Sequence, residues 1–234
     1  MTNQNRLEEL RAGLERTRAE IQRFADETGR EAPELLPVTK FHPAEDIALL
    51  GQLGITDVAE NREQEARAKA EALPHMHFHM IGQIQTKKAN HVARWAHSVH
   101  SLDSEKLARA LDRGVGLAHE RGQRDDTLPV FIQVSADGDT ARGGCPLEQV
   151  SDLVDVVEEL DNIELQGFMV VPPLESEPVE VFTRVKELVE ETSKQLGRPL
   201  KLSAGMSADL QAAIESGTDI VRVGTGIMGP RPVV

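Results

Sequence analysis

Two stretches of the sequence combine residue types that can do chemistry. The first ends in Lys40, the last residue of Leu36-Pro-Val-Thr-Lys40. A lysine amine attacks an aldehyde when burial or a nearby cation disfavours its charge; the ordinary alternative is a solvated lysine at a strand end. The second is Asp219-Ile-Val-Arg-Val-Gly-Thr-Gly226, an apolar β-branched run with Arg222 inside it that gives way to Gly224, Thr225 and Gly226. Bare glycine backbone lets N–H groups approach an anion closely, and Thr225 adds a hydroxyl donor. A glycine-rich strand exit is often only a turn. Here a second such loop, Ser203-Ala-Gly-Met-Ser207, precedes the first, and Ser207 is placed to cap the helix after it. Two loops of this kind after successive apolar runs point to a phosphate site.

Other reactive residue types carry less. His75, His77 and His79 alternate and would share one face of a strand. In line they span roughly 13 Å, too far for all three to bind one ion, so no metal site is expected and His79 reads as lining the fold. Cys145 follows Gly143-Gly144 with no base partner indicated, which makes it a passive thiol. Met169 and Met206 read as packing residues, and the acidic clusters at 156–161 and 187–191 as solvated helix faces.

The elements that must position Lys40 and the glycine loops alternate along the chain. Apolar segments at 35–39, 57–60, 77–81, 98–101, 130–135, 164–170, 201–203 and 220–223 read as strands. Between them, helical patterns run over 43–53, 63–73, 87–96, 104–121, 146–160, 178–196 and 208–216. This alternation implies βαβ units, a parallel sheet and a single closed (β/α)8 TIM barrel over residues 1–234. No Gly-x-Gly-x-x-Gly follows the first strand, which argues against a dinucleotide fold. An extra N-terminal helix over 3–28 shows Leu7, Leu10, Leu14, Ile21 and Phe24 at 3–4 spacing with Thr17 on the same stripe. Packing on the body of the domain is its expected use, with a coiled-coil dimer seam as the alternative.

In such a barrel functional residues lie just after the strands, and phosphate often sits in the loops after the last two. Those loops are the two glycine-bearing stretches, and Lys40 closes the first strand on the same rim. A buried lysine facing a phosphate cradle is what pyridoxal 5′-phosphate (PLP) needs. Arg222, one residue inside the last strand, would face the pyridine nitrogen. A guanidinium only donates, so it would keep that nitrogen unprotonated and the ring a weak electron sink. The competing expectation is a salt bridge from Arg222 to an acidic neighbour.

Composition narrows the setting. The net charge of −13 disfavours nucleic acid and anionic membrane surfaces as partners. No apolar run reaches the length of a membrane span, and the polar start excludes a secretory signal. One cysteine permits no internal disulfide, which suits the cytoplasm.

Thr39-Lys40, Ala59-Glu-Asn61, Phe78 to Lys88, His100-Ser-Leu-Asp103, Gln133-Val-Ser135, Gly167-Phe-Met169, Leu202 to Ser207 and Val221 to Thr225 occur in register. Together they resemble the pyridoxal phosphate homeostasis proteins (the YggS/PROSC family), whose fold is the N-terminal barrel of alanine racemase. The resemblance runs from about residue 7 to Arg231. It implies that Lys40 carries PLP as a Schiff base. It also implies that Ser203, Gly224 and Thr225 hold the phosphate, that Arg222 faces the ring nitrogen, and that Asn61 lies beside the ring. Departures from the family pattern fall at Ala59, Lys87, Ser135, Arg142 and Ala204. Ala59 and Ala204 would alter ring packing, and Arg142 cannot form an imine.

Two functions follow from different classes. The chain would bind, store or hand over PLP to apo-enzymes, as a monomer, without turning amino acids over. Alternatively it would be a PLP-dependent amino acid racemase. A two-base racemase needs a second acid/base group, a tyrosine from a second domain in the racemase relatives. The sequence has no tyrosine and only eleven residues after Val223, so no such domain is expected. A sugar-phosphate aldolase using Lys40 fits the barrel and the loops but leaves the other motifs unexplained.

Overall fold

The computed structural model of the chain describes residues 3–139 and 143–231. The chain opens with helix α1, Asn3–Thr28, whose buried residues include Leu10, Leu14, Thr17, Ile21 and Phe24, joined by Gly13 and Ala25. This stripe packs on α2 (Ala44–Gln52), α8 (Leu210–Glu215) and α9 (Thr225–Met228). The apolar face is therefore used inside the fold, and a coiled-coil seam has no stripe left to form from. At Gly13 the approach to α9 is so close that a Cβ would stand 2.6 Å from the Ile227 carbonyl oxygen.

The barrel wall consists of β1 (Glu34–Pro37), β2 (Asp57–Glu60), β3 (His77–Met80), β4 (Ala96–Leu102), β5 (Leu128–Ser135), β7 (Ile163–Val170), β8 (Lys201–Ser203) and β9 (Ile220–Val223). All pairings are parallel, in the order β1-β9-β8-β7-β5-β4-β3-β2. A parallel bridge between Val38 and Ala59, with Thr39 N–H donating to the Ala59 carbonyl at 2.9 Å, brings the two ends of that path together. The fold is a (β/α)8 barrel, the arrangement that the strand–helix alternation predicts.

The outer helices are α2, α3 (Glu63–Ala72), α4 (Ala89–Trp95), α5 (Glu105–Glu120), α6 (Val150–Glu158), α7 (Pro178–Leu196) and α8. Their ends follow local chemistry. Ser104 caps α5 by accepting from Leu107 N–H, and Gly197 ends α7 at φ +67°, a backbone region open to glycine. The large apolar residues, including Phe78, Phe168 and Phe182, are fully buried between wall and helices. Each contributes about 1.5–3 kcal/mol by leaving water. The lumen holds a smaller apolar group of Leu36, Val38, Ala59, Phe131, Met169 and Ile220.

Several elements differ from the sequence reading. Cys145–Pro146 forms a short strand, β6, paired with Val134 and Ser135 of β5, and a 3-10 turn over Leu147–Gln149 follows it. This delays α6 to Val150, because Pro146 is held extended. The loop after β9 turns immediately into helix α9, whose pattern the two glycines hide. Finally, β4 begins at Ala96, two residues before the expected start.

Candidate functional site

The ends of β1 and β9 are neighbours. Pro37 pairs with Val223, and Val38 N–H donates to the Val223 carbonyl at 2.9 Å. Lys40 leaves the barrel two residues beyond Val38, and Gly224 follows Val223, so the amine-bearing residue and the glycine loop share one rim. A Cβ on Gly224 would stand 3.4 Å from the Val38 carbonyl oxygen.

Lys40 is exposed, contrary to the buried lysine expected from sequence. The reason is that β1 ends at Pro37 and the chain turns at Thr39 to His42, the turn closed by His42 N–H donating to the Thr39 carbonyl at 3.1 Å, with Lys40 on its exposed part. Phe41, the next residue, has φ +71°. A non-glycine residue in this left-handed region costs about 1–3 kcal/mol and persists only when its surroundings fix it. Glu65 does so by accepting the Phe41 N–H at 2.8 Å. The Phe41 ring gathers cations: Arg231 at 3.7 Å, Arg62 at 5.4 Å and Lys40 Nζ at 5.8 Å from its centroid.

Beneath this turn lies a network that the sequence reading missed. Lys69 Nζ donates to Glu60 Oε1 at 2.6 Å, to Glu65 Oε1 at 2.8 Å and to the Thr39 carbonyl at 3.1 Å. Thr39 Oγ1 also donates to Glu60 Oε1, at 2.6 Å. Burial pushes the Glu60 carboxyl up against the pull of Lys69. The signal available in sequence was the i,i+4 pair Glu65–Lys69 on α3, which also reads as a surface pair.

Arg222 is 3% exposed. Its Nη1 donates to Ser203 Oγ at 2.7 Å and its Nη2 to the Val170 carbonyl at 3.1 Å. No carboxylate lies within ion-pair distance of it among the described residues, Asp209 acting on it only from farther away, so the expected alternative of a salt bridge is not what forms. Burial lowers the guanidinium from 12.5 to about 10. It remains protonated at neutral pH, a buried cation without a paired anion.

Ser203 is fully buried, and its hydroxyl is bonded to both Arg222 and His100, with His100 Nδ1 at 2.9 Å. The hydroxyl of this expected phosphate-site residue is bonded here to Arg222, which it positions. The physical reason is that Ser203, the last residue of β8, directs its side chain into the lumen rather than onto the rim. His100 is itself fully buried and stacks on Phe131 at 4.2 Å; burial pushes its imidazole well below the usual range. A neutral ring can accept the Ser203 O–H, leaving that oxygen to accept from Arg222.

At the glycine loop, the N–H groups of Thr225 and Gly226 meet no acceptor among the described residues. Ser207 of the preceding loop comes alongside: its Oγ would lie 3.8 Å from a Cβ on Gly226. Gly205, at φ +100°, makes that loop possible, since a Cβ there would meet the Ala213 Cβ at 2.5 Å. Asn61 is exposed at the exit of β2 and lines a cavity of about 290 Å³ with Ile81, Gln133, Ser135 and Met169. A larger cavity of about 750 Å³ lies outside the barrel, against α1. There Arg6 is held by Asp46 at 2.7 Å and the Met228 carbonyl at 2.9 Å, a structural clamp.

The departures from the family pattern separate by place. Ala59 lies in the lumen, whereas Ala204, directly after β8, packs into the layer between wall and helices. Lys87 is exposed, Ser135 Oγ contacts Asp137 at 3.4 Å, and Arg142 falls outside the described residues. Burial pushes the Cys145 thiol up to about 11.

The family model "Alanine racemase, N-terminal domain" matches residues 13–232. The pyridoxal phosphate homeostasis protein of Corynebacterium glutamicum is 57% identical over 200 residues, covering 85% of this chain and 90% of that protein. Among solved structures, PipY of Synechococcus elongatus with PLP bound is similar at a TM-score of 0.80 and 28% identity, over 94% of this chain and 100% of PipY. An alanine racemase of Clostridium difficile shares the fold at a TM-score of 0.72 and 15% identity, over 97% of this chain and 58% of the racemase. Among the described residues no helix is long and apolar enough to cross a membrane.

Proposed function

The chain belongs to the alanine racemase N-terminal domain family, among its pyridoxal phosphate homeostasis proteins, and from this premise we propose that it binds PLP and serves PLP homeostasis without turning amino acids over. The observation that carries the reading is the pairing of strand exits: the Val38–Val223 hydrogen bond puts Lys40 and the Gly224–Thr225 loop on adjacent positions of one rim. The residues fit the group. Unpaired amides at Thr225 and Gly226 suit its phosphate, and a buried guanidinium lacking an anion suits an acceptor in its ring.

In this assignment Lys40 supplies the amine that bonds the cofactor. Gly224, Thr225 and Gly226 hold the phosphate, with Ser207 beside them. Ser203 orients Arg222, and Asn61 borders the ring. When bound, PLP supplies an aldehyde that bonds amines and a ring that withdraws electrons from the bonded carbon. Arg222 donates and gives up no proton, so a ring nitrogen facing it stays unprotonated and electron withdrawal is weak. The 234 residues contain no tyrosine to act as a phenolic base on the opposite face. Both features support a carrier, with apo-enzymes as recipients, over a racemase.

Borohydride reduction of the protein incubated with PLP, followed by peptide mass mapping, tests the reading. The expected result is one pyridoxyl group on Lys40, lost in Lys40→Ala, with residual non-covalent PLP kept by the glycine loop. A label on another lysine, or none, would overturn the site. Racemisation of amino acids by the clean protein would overturn the carrier role.

A further inference from the structure

At the opposite end of the barrel, side chains of three neighbouring strands converge. Asp57 opens β2, His79 lies inside β3, and His97 is the second residue of β4. One ligand atom from each lies within 4.8 Å of the others. We propose that this cluster is a binding site for a first-row divalent transition ion of the zinc type, with Asp57, His79 and His97 as its protein ligands.

Two imidazoles and one carboxylate form the donor set that such ions take, leaving a position for water or a small ligand. Tetrahedral coordination at about 2.0–2.2 Å puts donor atoms roughly 3.3 Å apart. The Asp57 Oδ1–His79 Nε2 distance is 2.8 Å, so this pair opens by about half an ångström while His97 closes in. Histidines in line along one strand cannot close on a single ion. Adjacent strands lie about 4.8 Å apart, so ligands drawn across the sheet meet where in-line ones do not.

Three details favour a built site. First, Phe78 pairs with Ala96 and His79 with Ser98, so His97 is the extra residue of a bulge between β3 and β4. A bulge re-aims a side chain at a cost in regular pairing. Second, His79 Nδ1 lies 2.7 Å from Ser98 Oγ. A hydroxyl can donate to or accept from that nitrogen, so Ser98 supports either tautomer and can leave Nε2 free for an ion. Third, a cavity of about 250 Å³ opens onto Asp57, His79, His97 and Ser98, giving access and room for a further ligand. His77 stacks on His97 at 4.1 Å and steadies its ring.

The test is calorimetric titration of Zn²⁺ into the tag-free full chain after dialysis against chelator. A single saturable site is expected, weakened at least tenfold in His97→Ala and in Asp57→Asn and unchanged in the nearby exposed variant His75→Ala. Circular dichroism checks that each variant is folded. Should Asp57→Asn not fold, the His97→Ala variant and X-ray absorption on the zinc-loaded wild type decide, the latter expected to show two imidazole ligands. Absence of saturable uptake by the wild type, uptake indifferent to both substitutions, or a coordination shell without two imidazoles would overturn the proposal, leaving a hydrogen-bonded histidine stack.

Discussion

Replacing Arg222 by methionine separates binding from folding at one residue. In the ligand-free protein the guanidinium is 3% exposed with no carboxylate at ion-pair distance, and burial, only partly offset by the more distant Asp209, lowers it from 12.5 to about 10. The difference of roughly 2.5 units corresponds to about 3 kcal/mol against the charged form at 1.36 kcal/mol per unit. The sign follows from the direction: a base depressed in the folded state disfavours folding at every pH below its folded value, and so at pH 7. Methionine removes this cost and nearly fills the space. It also orphans the Val170 carbonyl, which costs about 1–3 kcal/mol, while Ser203 keeps His100 as a partner. The net expectation is a gain between about 0 and 2 kcal/mol in urea unfolding of the ligand-free protein. PLP affinity should move the other way. Losing a charge-assisted hydrogen bond of about 1.5–3 kcal/mol weakens binding roughly tenfold to a hundredfold, read by absorbance titration. A loss of more than 2 kcal/mol in the ligand-free protein, with PLP affinity unchanged, would refute this reasoning and make Arg222 purely structural.

Further predictions rest on packing and on buried charge. Gly82→Ala would put a Cβ 1.9 Å from the Asn61 carbonyl oxygen; we expect a loss of about 1–3 kcal/mol in chemical denaturation together with weaker PLP binding, because Asn61 must move. A folded variant with unchanged stability would show that the rim backbone is compliant there. Lys69→Met strands the buried Glu60 and should cost about 3–5 kcal/mol, nearer the lower figure because the Glu60 carboxyl is already pushed up; adding Glu60→Gln should recover part of it. No recovery in the double variant would contradict the pairing. For Cys145, the thiol rises from 9.0 to about 11, which lowers the thiolate fraction at pH 8 about 90-fold; with the stronger nucleophilicity of a more basic thiolate and the access lost to burial, the native protein should react with a disulfide reagent at least about tenfold more slowly than the unfolded chain. Equal rates would rule out a buried, high-pKa thiol.

Legibility in the sequence tracked the range of the interaction. The α1 stripe and the strands ending in Glu60, Ser203 and Val223 were readable because periodicity is local and each buried face repeats it. The rim positions of Lys40 and Gly224 followed from the barrel, since strand exits share one end. What was not legible depends on partners distant in sequence. Whether Lys40 is buried depends on where the chain turns after Pro37, and the turn is fixed by Glu65 from another helix. Ser203 presents the same hydroxyl whether it faces a phosphate or an arginine; only the lumen contact with Arg222 and His100 decides. The bulge that exposes His97 is a mismatch between two strands, invisible in either one alone.

The missing side chain at Gly13 reaches beyond helix packing. With hydrogen in place of methyl, α1 rests directly on the Ile227 carbonyl, and from there the backbone leads back to the open amides of Thr225 and Gly226. The N-terminal helix thus acts as a backstop for the turn that we propose to face the phosphate. A load on its outer surface, or a single added carbon at Gly13, would press through that carbonyl on the proposed phosphate loop, and on this reading ligand retention changes without a change in the lumen.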